Sequence, residues 1–182
     1  MAGHRAAAHL VLDVGCRNGL VIHLIRKRSK YKPKGVRLDT MAWIMSGMQK
    51  AADVGGGSII TQTRIKNHIA IEALRKGEAT IDDMDAIINA FNVTEALAIK
   101  GIGADYRAEI KAGQDAVYSI GTRSAVKGRY VLTGPELSAI NTTMEVHDAQ
   151  LDICTVAELE EALDFVWEEI RHKRVRRVPK PA

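Results

Sequence analysis

Thr133-Gly134-Pro135-Glu136 and Thr155-Val156-Ala157-Glu158 are the two stretches that decide the fold. Each places threonine three residues before glutamate. That is the capping-box spacing, in which Thr accepts from the amide at the third helical position and Glu reaches back to the cap amide. Pro135 falls in the first turn, where no helical hydrogen bond is lost. Behind the first box, Leu137, Ile140, Met144, His147, Leu151 and Cys154 recur at steps of three and four; behind the second, Val156, Leu159, Leu163, Val166 and Ile170 do the same. Two amphipathic helices with a very short link at Thr155 follow, and residues 133–174 are expected to pair as an antiparallel helical hairpin.

The same spacing extends upstream. No proline interrupts the chain between Pro33 and Pro135, so long helices are permitted. Leu38, Met41, Met45, Met48 and Ala52 draw one apolar stripe that ends before Gly55-Gly56-Gly57-Ser58, a flexible joint. A helix is expected over residues 59–76 with Ile65, Ile69 and Ala73 inward, Arg75 and Lys76 complementing its carbonyl end, and Gly77 as the stop. Thr80 offers the next cap, and Ile81, Met84, Ile87, Ile88 and Phe91 carry the face onward, with a bend at Asn92 and a stop at Gly101. Tyr106, Ile110, Gly113, Val117 and Ile120 define a further helix. Arg129-Tyr130-Val131-Leu132 is β-prone but has no evident partner strand, which favours an extended connector.

Composition agrees. The 182 residues are 46% hydrophobic but only 4% aromatic, and the apolar content is mostly Ala, Ile, Leu, Val and Met, a palette suited to close helix packing. The expected fold is therefore all-α, a bundle of about six helices closed by the C-terminal hairpin. Residues 38–178 form the helical domain, and residues 1–37 an N-terminal extension and basic arm expected to be poorly ordered.

Charge is unevenly spread. Residues 1–25 carry +1, residues 26–37 carry +7 and residues 171–182 carry +6, which leaves −10 for residues 38–170 out of the total of +4. An acidic body thus has basic ends. Arg26, Lys27, Arg28, Lys30, Tyr31, Lys32 and Lys34 crowd into one short segment with Pro33, too self-repelling to fold alone but suited to phosphate backbones. Arg171, Lys173, Arg174, Arg176 and Arg177 extend from a helix end in the same way. These cations are the candidate DNA or RNA contacts, with Tyr31 able to stack on an unpaired base. Solvated tails, or tails folded back on the acidic body of the same or another protomer, are the competing account.

Other chemistry is weakly signalled. Cys16 and Cys154 form no CxxC pair, which fits a reducing compartment. The apolar stretch at residues 6–25 is broken by His9, Asp13, Arg17, Asn18 and His23, so neither export nor a membrane span is expected, which favours a cytoplasmic setting. The six histidines never occur as HxxxH or HExxH, so no metal pair can be drawn, and no cofactor is expected. His147 stands out as a polar group in an apolar stripe, an interface candidate that could set register in a homo-oligomer.

Val11-Leu12-Asp13-Val14-Gly15-Cys16-Arg17-Asn18-Gly19 resembles the first motif of S-adenosylmethionine-dependent methyltransferases, a strand entering a Gly-rich turn. Arg17 replaces an expected glycine, and everything after Asp39 is helix-patterned where that fold needs alternating strands. Residues 84–101 can be laid over a helix-turn-helix with Asn92-Val93 in the turn, but bulky Ile88 occupies the position needing a small side chain. Two core-packed helices with a kink fit better.

Lys66-Asn67-His68, Phe91-Asn92-Val93, Gly101-Ile102-Gly103, residues 128–132, Gly134-Pro135-Glu136-Leu137, Asn141 and Val146-His147-Asp148-Ala149-Gln150-Leu151 carry a resemblance, from about Arg26 onward, to short proteins of proteobacterial phages, prophages and plasmids. That resemblance implies a mobile-element setting and supplies no catalytic residue. The sequence thus points to a non-enzymatic accessory or regulatory protein binding nucleic acid through its basic termini. The alternative is a helical module that forms homo-oligomers or grips a host protein.

Overall fold

Helix starts are set locally and packing then sorts the faces. The computed structural model describes residues 40–53 and 58–181. Six helices carry them: α1 (Thr40–Gly47), α2 (Ser58–Lys76), α3 (Ile81–Ile99), α4 (Arg107–Lys127), α5 (Gly134–Ile153) and α6 (Val156–Arg171), with a 3-10 turn at Ala104–Tyr106 leading into α4. The fold is all-α, as the periodicity requires. No strand occurs among the described residues, only an isolated bridge between Lys50 and Thr155. No described helix is long and apolar enough to cross a membrane.

Capping boxes stand at Thr80, Thr133 and Thr155, with Asp83, Glu136 and Glu158 as the reciprocal acids. The Thr133 amide donates to Glu136 at 2.7 Å, and the Thr155 amide to Glu158 at 2.8 Å. Such caps contribute about 1 kcal/mol each. Gly77 ends α2 in the left-handed region at φ +76°, where the Glu78 amide reaches the Ala73 carbonyl at 2.9 Å. Residues 130–132 form the expected extended connector.

α3 is the axis of the bundle and packs against α2, α4, α5 and α6. Met84, Ile87, Ile88, Phe91 and Leu97 are buried on it, and Ala86, Ala90, Ala96 and Ala98 let neighbours approach on several sides. A helix apolar around most of its circumference belongs in a core. It runs unbroken through Asn92, so neither the bend nor the helix-turn-helix turn at Asn92-Val93 exists. No glycine or proline lies there to interrupt it, and Thr94 returns its hydroxyl to the Ala90 carbonyl at 2.9 Å.

Three expectations are corrected. First, α5 and α6 are joined at Cys154 and Thr155 as expected, but α5 packs chiefly on α4 and α3, and α6 on α3 and α1. The hairpin is a corner. The link is extended, with ψ 149° at Cys154 and 164° at Thr155, and α3 offers each helix more apolar surface than they offer each other. Leu151, Cys154, Leu159 and Ala162 meet at the corner, and residues 49–51 clip it: the Val156 amide donates to Gln49 and the Ala51 amide to Cys154, each at 2.9 Å.

Second, α2 is turned over. Ile65 and Ile69 are exposed, whereas Asn67, Ala70, Ile71 and Leu74 are buried. The two sets lie on opposite faces, and the second offers more apolar contact to α3. Third, Met41, Met45 and Met48 face solvent, whereas Ala51 is buried, under the corner. Leu163 on α6 is likewise exposed, and Ala162 takes the inward place.

Candidate functional site

The N-terminal basic set, Arg26, Lys27, Arg28, Lys30, Tyr31, Lys32 and Lys34, lies outside the described residues, as does the motif at residues 11–19. The C-terminal set is described, and it does not project into solvent as a tail. α6 ends in a turn in which the Arg174 amide reaches the Glu169 carbonyl at 3.0 Å, with Lys173 at φ +54° in the left-handed position usually held by glycine. Arg171 and His172 pair with Glu168. Arg174 forks onto buried Glu169 at 2.6 to 3.0 Å and, by those hydrogen bonds, holds the Glu169 carboxyl below its usual range.

Beyond that turn the chain folds onto α4. The Arg176 guanidinium sits 3.1 Å from the centre of the Tyr118 ring and 3.5 Å from Asp115. Val178 is buried against Gly121. A Cβ at position 121 would stand 2.1 Å from Val178 Cγ1 and 3.0 Å from the Pro179 carbonyl oxygen, so this docking needs glycine. The basic C-terminus is a strap across the distal half of α4.

Strap and helix enclose an open groove of about 550 Å³ lined by Tyr118, Ser119, Thr122, Arg123, Lys127 and Arg176, together with exposed Val126. Among the described residues no carboxylate belongs to that lining, although Asp115 stands behind Arg176. Arg123 is held from behind by the Val131 carbonyl at 2.9 Å and by Glu136 at 2.5 Å. Burial pushes the Glu136 carboxyl up, but the hydrogen bonds from Arg123 and Thr133 outweigh it and leave it lowered. Tyr118, Arg123 and Lys127 were not distinguished in the sequence. Arg123 and Lys127 are one helical turn apart, a signal too common to single them out.

A second polar constellation joins α2, α3 and α5. His68 Nε2 lies 2.8 Å from Asp148, and Arg64 reaches the Asp148 carbonyl at 2.7 Å and Asp152 at 2.6 Å. Next to Asp148, His147 is 3% exposed, with Nδ1 2.9 Å from Thr94 Oγ1. With the Thr94 hydroxyl proton on the Ala90 carbonyl, Thr94 accepts from His147 and the imidazole proton sits on Nδ1. Nε2 is then a buried acceptor without a partner. Gln150 completes the seam, donating to the Thr94 and Ile102 carbonyls. His147 is thus buried within the chain, between α5 and α3.

Burial lowers the pKa of His147 to about 4, with Asp148 opposing the shift and Arg64 and His68 adding to it. The folded protein resists protonation there, whereas the unfolded chain accepts a proton near pH 6.5. Stability contributed by the neutral imidazole is fully present above about pH 6.5 and is lost as pH falls towards about 4. Urea midpoints should therefore drop between about pH 7 and pH 5, above the range where carboxylates titrate. His147→Gln, which keeps a donor for Thr94, should flatten that drop; an unchanged slope in the variant would assign it elsewhere.

No group of three or more potential metal ligands occurs among the described residues. Cys154 is buried at the corner, where burial, reinforced by Glu158, pushes its thiol up and away from thiolate chemistry. No protein-family model, curated protein or solved structure matches the chain. What the fold defines is a class, an all-α bundle with a cationic groove formed by a folded-back terminus.

Proposed function

We propose that this chain is a non-enzymatic accessory or regulatory protein of a phage or other mobile element, working in the cytoplasm of a bacterial host by binding nucleic acid through its phosphate backbone. One observation carries the reading: the strap sets Arg176 beside Arg123 and Lys127 on a surface that no carboxylate among the described residues lines, although residues 38–170 carry −10 overall. A net-acidic body that keeps one cationic, hydroxyl-bearing face suits a polyanion. The basic arm at residues 26–34 adds charge to the same purpose. The similarity of the strings around His68, Asn92 and His147 to proteins of mobile elements supports the setting.

Phosphate contacts of this kind release counterions, so affinity is governed by salt. Fluorescence anisotropy with random-sequence oligonucleotides should show binding that weakens by about two orders of magnitude between about 50 and 200 mM salt, the loss expected for about five neutralised phosphates on a single strand. Absence of binding at the lower salt removes the reading.

A second reading is favoured by a separate observation. Met45 on α1, Met48 just beyond it and Trp167 on α6 are 57%, 65% and 62% exposed, large apolar groups of the kind that mark contact with another protein. Under it the protein is a helical interaction module that forms homo-oligomers or holds a host protein. Light scattering coupled to size exclusion tests the homo-oligomer, since a monomer at all concentrations leaves only a different partner.

A further inference from the structure

We infer that the groove between the distal half of α4 and the C-terminal strap is the seat of a single nucleic-acid strand, with its phosphodiester backbone along Lys127 and Arg176; this rests on the nucleic-acid reading above. The terminal cations of the sequence had suggested only a diffuse positive tail. The fold turns part of that tail into one wall of a defined site and supplies the other wall from α4. Lys127, in the groove lining, makes no ion pair among the described residues, so its charge is available to an anion. Arg123 is anchored from behind by Glu136 and the Val131 carbonyl, which fixes its position without closing the groove.

Ser119 and Thr122, one turn apart on α4, add hydroxyls to the floor. Their protons now go to the Asp115 and Tyr118 carbonyls at 2.9 and 3.0 Å, bonds that a rotation about χ1 exchanges for bonds to phosphate oxygens. Arg176 is planar, stacked on Tyr118, and only loosely paired with Asp115, which Lys111 already holds at 2.6 Å. A phosphate can therefore draw its N–H edge without dislodging the stack. A cationic groove of about 550 Å³ with an aromatic ring, Tyr118, in its lining is the combination that tracks a single strand. The contacts assigned here are to phosphate, so affinity should be independent of sequence.

The test uses the full chain with fluorescein-labelled oligo-dT and oligo-U of about 15 nucleotides, near the upper end of single-strand site sizes. Lys127→Glu should weaken binding about tenfold and lower the slope of log affinity against log salt by about one. Lys66→Glu, a reversal at an equally exposed lysine on α2, should change affinity less than about twofold if only the groove is contacted. Wild-type protein that binds neither oligonucleotide at low salt ends both the functional reading and this one. Binding that survives Lys127→Glu unchanged, or falls equally with Lys66→Glu, ends the groove assignment alone and leaves the cations elsewhere as the contacts. A duplex that competes as well as the single strand overturns the strand assignment.

Discussion

Phe91→Ala is expected to remove about 3 to 5 kcal/mol of folding stability, the cost of deleting a fully enclosed aromatic ring from a close-packed core. Phe91 has no exposed surface and lies on the central helix α3, in one cluster with Ile87, Ile88, Val117, Ile140 and Met144 drawn from α3, α4 and α5. Phe91 sits where three helices meet, enclosed on all sides by that cluster. The neighbours are β-branched or anchored at mid-helix, which limits collapse into the cavity. Urea unfolding followed by circular dichroism measures the loss. A drop below about 1 kcal/mol would mean that the site relaxes freely and that α3 is not the packed axis described here.

Gly113→Val should destabilise by about 3 kcal/mol or more, through overpacking and not through a cavity. Gly113 is buried on α4 where α5 crosses it. A Cβ there would stand 2.2 Å from Thr143 Oγ1, 2.8 Å from Thr143 Cβ and 3.2 Å from the Phe91 ring. Thr143 cannot step aside cheaply, because its hydroxyl is tied to the Ala139 and Glu109 carbonyls at 2.9 and 3.0 Å. Gly113→Ala makes the sign informative. Helix propensity alone would favour alanine by about 0.5 to 1 kcal/mol, so a net loss shows that helix contact wins. A stabilised alanine variant in the same urea experiment would show that α4 and α5 do not approach this closely.

Much of the fold was legible in the sequence, because its signals are local. Thr80, Thr133 and Thr155 cap helices through partners three residues away, and Gly77 stops α2 through its own backbone conformation. On α5 the stripe from Ile140 through Met144, His147 and Leu151 to Cys154 is buried as its spacing required. That helix presents one apolar face only. α2 presents two, and periodicity cannot rank Ile65 and Ile69 against Ala70, Ile71 and Leu74 before the partner helix is known.

The candidate groove was half legible. Arg176 was singled out for its charge, but its partners Tyr118, Asp115 and Lys127 lie far away in sequence and carry no motif. The polar seam is similar: His147 was conspicuous as the one polar member of its stripe, while Thr94, which fixes its tautomer, was one unremarked threonine in a helix. Long-range pairs of this kind depend on register between helices, and single residues do not announce it.

By itself, then, the order of amino acids determined that this chain is helical, where most of its helices begin and end, and that its ends are basic around an acidic body. Those properties arise from neighbours within a turn or two and from summed charge. Tertiary structure decided which apolar face of α2 is covered, that α5 and α6 part at a corner to pack on α3, and that the C-terminal cations lie along α4 beside Gly121. Each of these is a competition between surfaces distant along the chain, settled by which contact removes most apolar area from water and leaves fewest charges without a partner.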